Sequence, residues 1–189
     1  MLYEKENIGK IFTKSKDKHL DGKKFEDCRF LDCDFSGTDF RDTYFVDCIF
    51  ENCDLSLAKI DGAKIQGGEF VECKVAGWNF SRVNKLLLSV DFKKCKIQQC
   101  DFSDIKLKNK KFVECDLSDT DFSGCDLSNS NFHASKFKDC FFQTCDLREC
   151  NFTKAEGYVI NPLSNKLRKA RFSYPGVLGL VEEFGIKIE

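Results

Sequence analysis

The sequence predicts a repeat protein made of five-residue units, each of which directs one large apolar side chain inward. Three observations predict it: a large apolar residue at every fifth position, a residue two positions earlier that is mostly small, and often an Asp or Asn directly before the large one. A half-buried strand repeats every two residues and an α-helix every 3.6, so neither explains a period of five. A repeat that keeps its phase over most of a chain is instead typical of stacked architectures.

The large apolar residues, called centres here, form two runs of 13 and 14 positions, and all of them are Leu, Ile, Val or Phe. Chance does not produce such a pattern. The first run contains Leu20, Phe25, Phe30, Phe35, Phe40, Phe45, Phe50, Leu55, Ile60, Ile65, Phe70, Val75 and Phe80. The second contains Leu87, Phe92, Ile97, Phe102, Leu107, Phe112, Leu117, Phe122, Leu127, Phe132, Phe137, Phe142, Leu147 and Phe152.

The small position holds all 12 cysteines of the chain, from Cys28 to Cys150. Ladders of thiols could form disulfides or hold a metal. However, there is no CxxC pair, and His19 and His133 are the only histidines. A free Cys at an inward position behaves as a small hydrophobe, so we expect reduced, structural thiols with no metal and no cofactor.

The units "CDFSG", "CDLSD", "CDLSN" and "CDLRE" resemble the A(D/N)LXX unit of the pentapeptide-repeat family, with Cys in place of Ala and Phe often in place of Leu. The resemblance covers residues 18–156. It implies an all-β fold, the right-handed quadrilateral β-helix, in which four units make one 20-residue coil and successive coils stack as short parallel strands. The Asp or Asn that often stands before a centre favours the tight turns that such a coil needs.

Sorting the centres every 20 residues tests the square coil, if the irregular step at 81–86 is counted as a small bulge with two inserted residues. One column is then pure phenylalanine: Phe30, Phe50, Phe70, Phe92, Phe112, Phe132 and Phe152. Another contains Phe25, Phe45, Ile65, Leu87, Leu107, Leu127 and Leu147. Column identity survives the bulge, and the units amount to nearly seven coils.

The pattern divides the chain into an N-terminal cap (1–17), the β-helix (18–156) and a C-terminal module (157–189). In this module Ser173 is the expected N-cap of a short helical cap, with Pro175 in its first turn and Gly185 at its end. The ending resembles the C-terminal module of the Qnr-type and microcin-immunity branches of the family, which implies a homodimer. An intramolecular cap alone is the alternative. The candidate dimer interface is Val177, Leu178, Val181, Phe184, Ile186 and Ile188.

No catalytic constellation is present, because the chain has no Gly-rich phosphate loop, no GxSxG and no Cys–His pair placed by the repeat. We therefore expect no enzymatic activity. The net charge of −1 predicts no direct binding to nucleic acid or to an anionic membrane. The charged N-terminus does not resemble a signal peptide, and no stretch approaches the ~18 apolar residues of a membrane span, so we expect a cytoplasmic protein.

Function is then expected on the outer surface. The resemblance to the Qnr-type branch implies binding to DNA gyrase or topoisomerase IV by imitation of duplex DNA, and so quinolone or toxin resistance. One face carries seven aspartates against Arg41, Lys59 and Arg82, a net charge of −4. The aspartates are Asp21, Asp39, Asp42, Asp61, Asp101, Asp104 and Asp121. Lysines make the adjoining central region basic, which opposes close imitation of DNA.

The alternative function is a protein-interaction scaffold with another partner. Tyr44, Val46, Leu86 and Leu88 are expected outward on one face, and Leu31, Ile49, Val71 and Val113 on the next. Lys85, at a normally small position, is expected to point outward from the bulge, which is either a contact site or a tolerated insertion. The candidate partner-binding residues are Asp39, Asp42, Asp101, Asp104, Asp121, Arg82, Lys85, Leu86 and Leu88.

Overall fold

The computed structural model of the protein describes residues 4–187, which fold into short strands and a few 3₁₀ turns. The strands are β1 (Glu6–Ile8), β2 (Ile11–Thr13), β3 (Lys24–Glu26), β4 (Arg29–Leu31), β5 (Tyr44–Val46), β6 (Ile49–Glu51), β7 (Lys64–Gln66), β8 (Gly68–Val71), β9 (Lys74–Ala76), β10 (Val90–Lys93), β11 (Lys96–Gln98), β12 (Phe112–Val113), β13 (Asp116–Ser118), β14 (Lys136–Lys138), β15 (Asn151–Phe152) and β16 (Arg171–Phe172). The 3₁₀ helices are Phe80–Arg82, Gly176–Leu180 and Glu182–Phe184.

The strands pair in parallel with strands one coil away, and the pairs define four faces. The first face orders β1-β3-β5-β7, the second β12-β10-β8-β6-β4-β2, and the third β14-β13-β11-β9. Single parallel bridges form the fourth face, from His19–Asp39 to Asp121–Phe141. Non-consecutive parallel neighbours require the chain to coil, so the predicted right-handed four-sided β-helix is confirmed.

Each five-residue unit forms one side and one corner. In a strand successive side chains alternate between faces, so the centre is buried while its two neighbours point outward. The residue two after the centre turns the corner with a left-handed backbone, at φ between 49° and 62° for the non-glycine residues described. The Asp before the centre accepts a bond from the backbone two residues on, as Asp34 does from Ser36 at 3.1 Å. The predicted turn role of these aspartates is confirmed.

The second face contributes a continuous stack of phenylalanine rings to the core. Phe30 and Phe50 lie 4.6 Å apart between ring centroids, and Phe50 and Phe70 lie 4.9 Å apart. Rings from adjoining faces meet these edge-on, as Phe45 meets Phe50 at 5.3 Å. Stacked and edge-on pairs are the favoured aromatic geometries. Burial of each ring stabilises the fold by about 1.5–3 kcal/mol, so the column helps to hold successive coils together.

The step at 81–86 is a two-residue insertion, as the column test predicts. Phe50 pairs with Phe70 and Phe92 with Phe112, both 20 residues apart, whereas Phe70 pairs with Phe92, 22 residues apart. The Phe70 and Phe92 rings still stack at 5.0 Å. Column identity is therefore kept across the insertion.

The assignment of Leu87 as a centre is wrong. Leu87 is 41 % exposed, whereas Leu88 is buried. The reason is the two-residue period of the strand that follows: Phe92 and Val90 point inward, so Leu88 does too, and Leu87 falls on the outer side. Lys85 points outward, as predicted.

Within the segment expected to form an N-terminal cap (1–17), the described residues 4–17 join the ladder instead, because β1 and β2 pair with β3 and β4. Their coil is shorter, with Glu6 opposite Lys24. The repeat pattern does not reveal this first coil, because a polar residue, Asn7, stands at one of its centres. Asn7 is fully buried, and its amide donates to the carbonyls of Glu4 and Lys24 at 3.1 and 3.4 Å. These bonds satisfy the polar group and end the apolar core.

The ladder also continues beyond residue 156, since β15 pairs with β16 and Leu147 N donates to Lys166 O at 2.9 Å. Asn165 takes the small position there, accepting from Cys145 N at 2.8 Å and donating to Phe142 O at 2.9 Å. The rod therefore has about eight coils rather than nearly seven.

Two 3₁₀ helices, rather than an α-helix, close the C-terminal end. Ser173 is not a side-chain N-cap, because its hydroxyl accepts from Lys154 N at 2.7 Å. The second helix ends at Gly185, whose φ of 61° is left-handed, as expected. Ile186 forms no strand, and Ile188 lies outside the described residues.

Candidate interaction surface

The predicted acidic residues come together on the fourth face. Asp101 and Asp121 are bridge partners in one column, and Asp39 lies in the same column two coils before Asn79, the bridge partner of Asp101. Asp42 and Asp104 lie at the corners that end this face. The chain leaves the face after Arg82, so the exposed residues Lys85 and Leu86 lie beside it. Leu88 is buried and offers no contact to a partner.

Three of these carboxylates are engaged in local structure. Asp39 accepts two hydrogen bonds from Arg41, at 2.6 and 2.9 Å, and the Arg41 guanidinium lowers the pKa of Asp39 to about 2. Asp101 Oδ1 accepts from the Ser103 backbone at 2.8 Å and from its hydroxyl at 2.6 Å. Asp121 accepts from Ser123 N at 2.7 Å. These aspartates therefore hold turns as well as carrying charge.

The two corner aspartates are placed differently. Asp42 and Asp104 are exposed, and each carboxylate lies over the corner glycine of the next coil, Gly62 or Gly124. A Cβ on either glycine would collide with the carboxylate oxygen. Within residues 4–187 neither aspartate forms an ion pair. Their negative charge is therefore not compensated by an ion pair.

Charge along the fourth face falls into two acidic groups with a basic step between them. The first group is Asp21, Asp39, Asp42 and Asp61, and the second is Asp101, Asp104 and Asp121. Between them lie Arg82, whose guanidinium is 3.2 Å from Asp61, and Lys85. The acidic stripe is therefore interrupted at the insertion.

Outward apolar residues are scattered over other faces. Tyr44 lies on the first face with the Lys64 ammonium 3.8 Å from its ring centroid. Val71 and Val113 are half-buried on the second face and line a groove of about 310 Å³. Leu86 is 96 % exposed beside the fourth face.

Phe141 is an exposed apolar residue that the repeat pattern does not predict. Phe141 stands where many units have Asp or Asn, and it is 61 % exposed. It lines a groove of about 740 Å³ with Gly157 and Glu182 at the point where the fourth face ends. A large apolar residue at the outward position directly before the centre Phe142 is the sequence feature that could have indicated this exposed ring.

The thiols are free and inward-facing, as predicted, although Cys140 is only partly buried. Burial raises the pKa of Cys48 and Cys125 to about 12. Sγ of Cys53 donates to Phe30 O at 3.4 Å, a bond that recurs from coil to coil. Among residues 4–187 no group of three or more Cys, His, Asp or Glu side chains is placed to hold a metal ion.

The candidate dimer residues are at the C-terminal end of the rod. Val177, Leu178 and Val181 are half-buried, while Phe184 and Ile186 are half or more exposed.

In the part of the chain that the structure describes, no helix has the length and apolar character to cross a membrane.

Stacked five-residue units around a phenylalanine core, with free outward faces, define a β-helical repeat protein. Two segments, residues 23–86 and 84–152, match the model of the pentapeptide repeat region. The chain belongs to the pentapeptide-repeat family. No curated protein matches the sequence.

Solved structures share the fold. Full-length QnrB1, a plasmid-mediated fluoroquinolone resistance protein, superposes with a TM-score of 0.57 at 19 % identity, over 96 % of this chain and 100 % of that chain. A trypsin-treated QnrB1 variant gives 0.55 at 17 % identity, over 97 % and 98 %. HetL, a pentapeptide-repeat protein involved in heterocyst differentiation regulation from Nostoc sp. strain PCC 7120, gives 0.49 at 18 % identity, over 87 % and 81 %.

Proposed function

We propose that the protein is a non-catalytic binding rod whose fourth face binds a type II topoisomerase, such as DNA gyrase, and so protects it from a quinolone or a toxin. The observation that carries the proposal is the end-to-end fold likeness to a fluoroquinolone resistance protein. The acidic groups on the fourth face support it, because a topoisomerase must present basic side chains to bind DNA.

The spacing of charges refines how such binding would work. Duplex DNA carries one charge per ~1.7 Å of its axis, whereas successive coils are ~4.8 Å apart. The net charge of −4 on this face amounts to less than one charge per coil, which cannot reproduce the field of DNA. Asp101, Asp104 and Asp121 would instead form individual ion pairs with basic residues of the enzyme, as at other charged protein interfaces.

A supercoiling assay with purified gyrase tests the proposal, with and without a quinolone. The protein should inhibit supercoiling or relieve drug-stabilised cleavage at low micromolar concentration. Combined Asp101→Asn, Asp104→Asn and Asp121→Asn substitution should weaken this effect about tenfold or more, while Asn preserves the turn bonds and the left-handed corner. No effect of the wild-type protein at large excess would refute topoisomerase binding.

The matched control carries Glu69→Gln, Glu72→Gln and Glu114→Gln, which remove the same charge from the second face. It should behave as the wild type. Equal loss of activity in both triple variants would show that overall charge, rather than the fourth face, is responsible.

We also propose that two copies dimerise through Val177, Leu178, Val181, Phe184, Ile186 and Ile188, with Ile188 outside the described residues. The exposure of Phe184 and Ile186 at the end of the rod supports this. Leu180 packs partly against the core, which is what an intramolecular cap alone would also do. Sedimentation should show a dimer that Phe184→Asp converts to a monomer, while Leu163→Asp, another exposed site, leaves it intact. A wild-type monomer would favour the cap alone.

A second candidate is a scaffold for a different protein partner, favoured by the fully exposed Leu86 and the Val71–Val113 groove. Under this function Leu86→Asp or Val113→Asp would abolish capture of a partner that the Asp101/Asp104/Asp121 triple variant still binds. The two candidates are therefore separable by the same set of variants.

A further inference from the structure

We propose that the last coil of the rod binds single-stranded nucleic acid through a basic cluster. The C-terminal basic cluster is defined here as Lys154, Lys166, Arg168, Lys169 and Arg171, together with the ring of Tyr174. This site is separate from the acidic fourth face and does not depend on topoisomerase binding.

The fold places four of the cations around the corner between the first and second faces, and Lys154 and Tyr174 at the other end of the second face. Lys166 and Arg168 continue the first face, since Asp146 bridges Lys166. Lys169 turns the corner with a φ of 62°, and Arg171 begins β16 on the second face, opposite Asn151. All of these side chains are exposed. The positive charge therefore wraps from one face to the next within one coil.

The charge of the cluster is largely uncompensated. From Gly157 to Val181 the chain contains no Asp or Glu, and within residues 4–187 none of the five basic residues forms an ion pair. The nearby carboxylates are that of Glu156, exposed and two residues after Lys154, and two from the previous coil. Asp146 is held by two bonds from Arg148, at 2.8 and 2.5 Å, and Glu149 lies at the corner below Lys169. One paired and two unpaired carboxylates cannot neutralise five cations.

Tyr174 adds a second kind of contact beside the cations. Its ring is 80 % exposed, on a corner directly after Ser173, whose hydroxyl accepts from Lys154 N. That bond places Tyr174 over the corner at Lys154. An exposed aromatic ring among cationic side chains is how proteins bind single strands without sequence preference, by stacking bases and pairing phosphates.

The shape of the site favours a flexible strand over other anions. A flat bilayer or a stiff duplex would meet the first or the second face but not both sides of the corner. The second face next to Arg171 also has no acidic residue over its last coils. Its outward side chains are amides, hydroxyls and the imidazole of His133, with Asn151 donating to Asn131 at 2.9 Å and His133 Nδ1 lying 2.8 Å from the Thr153 hydroxyl. A single strand can follow this path, which carries no carboxylate, and stack a base on the Tyr174 ring. An acidic peptide would pair with the cations but has no base to stack on that ring.

The inference departs from the expectation drawn from net charge. A sum of −1 over the chain predicts no nucleic-acid binding, but folding places acids on the fourth face and cations on the last coil. Local rather than total charge governs the contact with a short strand, because screening limits electrostatic reach to about 10 Å.

The test is fluorescence anisotropy with a labelled oligothymidine of about 15 nucleotides, as a function of salt. The variant combines Lys166→Gln, Arg168→Gln, Lys169→Asn and Arg171→Gln. It should raise Kd more than tenfold and flatten the plot of log K against log salt, since each phosphate contact contributes about −0.7 to the slope. Tyr174→Leu should weaken binding about tenfold with an unchanged slope.

The control variant removes four lysines from the middle of the rod, by Lys93→Gln, Lys94→Asn, Lys106→Gln and Lys111→Gln. It should bind within about twofold of the wild type. Equal weakening by this control would overturn the proposal in favour of general charge attraction. It would also be overturned if polyglutamate or anionic vesicles bound as tightly as the oligonucleotide, or if Tyr174→Leu had no effect. Matched melting temperatures establish that each variant is folded.

Discussion

The insertion at 81–86 differs from the regular coils in residue spacing and surface exposure, but its core packing is the same as theirs. In the regular coils every partner lies 20 residues away, whereas the insertion adds two residues and exposes Leu86 almost completely. Yet the Phe70–Phe92 ring distance across it is 5.0 Å, against 4.9 Å for Phe50–Phe70. The comparison shows that a corner can be lengthened outward while the ladder and the ring stack continue.

The strongest test of this comparison is thiol reactivity, because Cys73 and Cys95 lie on either side of the insertion. The neighbouring Cys115 thiol and burial raise the pKa of Cys95 to about 12, so very little reactive thiolate forms. We expect native protein to react with a thiol reagent at pH 8 orders of magnitude more slowly than unfolded protein. Half-exposed Cys140 should react first. Mass-spectrometric labelling of Cys73 or Cys95 ahead of Cys33 and Cys53 would show that the insertion loosens the core.

The next largest effect is expected from the ring stack itself. Phe92→Ala should lower the free energy of unfolding by about 3–5 kcal/mol, because the ring is buried between Phe70 and Phe112. Leu86→Ala, a few residues earlier and exposed, should change it by less than about 0.5 kcal/mol. Urea unfolding measures both. Similar losses for the two variants would contradict the division between interior and corner.

A smaller effect is expected when the insertion is shortened. Deletion of Lys85 and Leu86 should change the free energy of unfolding by less than about 1 kcal/mol, since loop-closure entropy depends weakly on length. The same urea titration tests it, with deletion of Ile97 and Gln98 from β11 as the control. The control should be strongly destabilised, because it shifts every later centre out of register. A large loss for the first deletion would mean that the inserted residues support the ladder.

The smallest expected effect is a pH dependence of the free energy of unfolding, caused by the Asp39–Arg41 pair in a regular coil before the insertion. Arg41 lowers the pKa of Asp39 to about 2, below the ~3.9 of an unfolded chain. The folded state is therefore favoured by this pair above pH ~4, and the benefit is lost as pH falls towards 2. Asp39→Asn keeps the turn but not the charge, so its urea midpoint should approach that of the wild type as pH falls. A constant difference between pH 5 and pH 2 would contradict this.

Most of the rod could be predicted from sequence because its period leaves little freedom. The repeat identified the centres, the phenylalanine column and the two-residue insertion. It failed where side chains leave the repeat: Asn7 hid the first coil, and three consecutive leucines at 86–88 gave no indication of which one is buried. Leu167 and Phe172, 20 residues after Leu147 and Phe152, were a signal for the last coil. The intervening loop at 157–164 concealed it.

The candidate surface was predicted less completely. Outward positions follow from the repeat, so Asp39, Asp101 and Asp121 could be assigned to one face. Which carboxylates are engaged by Arg41 or Ser103 depends on side-chain geometry that spacing does not encode. Exposure of Phe141 and Tyr174 depends on where the neighbouring coil stops, and the repeat contains no information on that.

The left-handed corners have a consequence for how such a rod acquires its charge. Ten of the twenty-one non-glycine corner residues described are Asp or Asn, the residues that tolerate this backbone best. Backbone geometry alone therefore enriches carboxylates on the edges of the rod, with no partner involved. Exchange of Asp for Asn at a corner removes a negative charge from the surface at almost no conformational cost, because both residues tolerate the left-handed backbone. Natural variation can thus rewrite the charge of this molecule while its shape stays fixed.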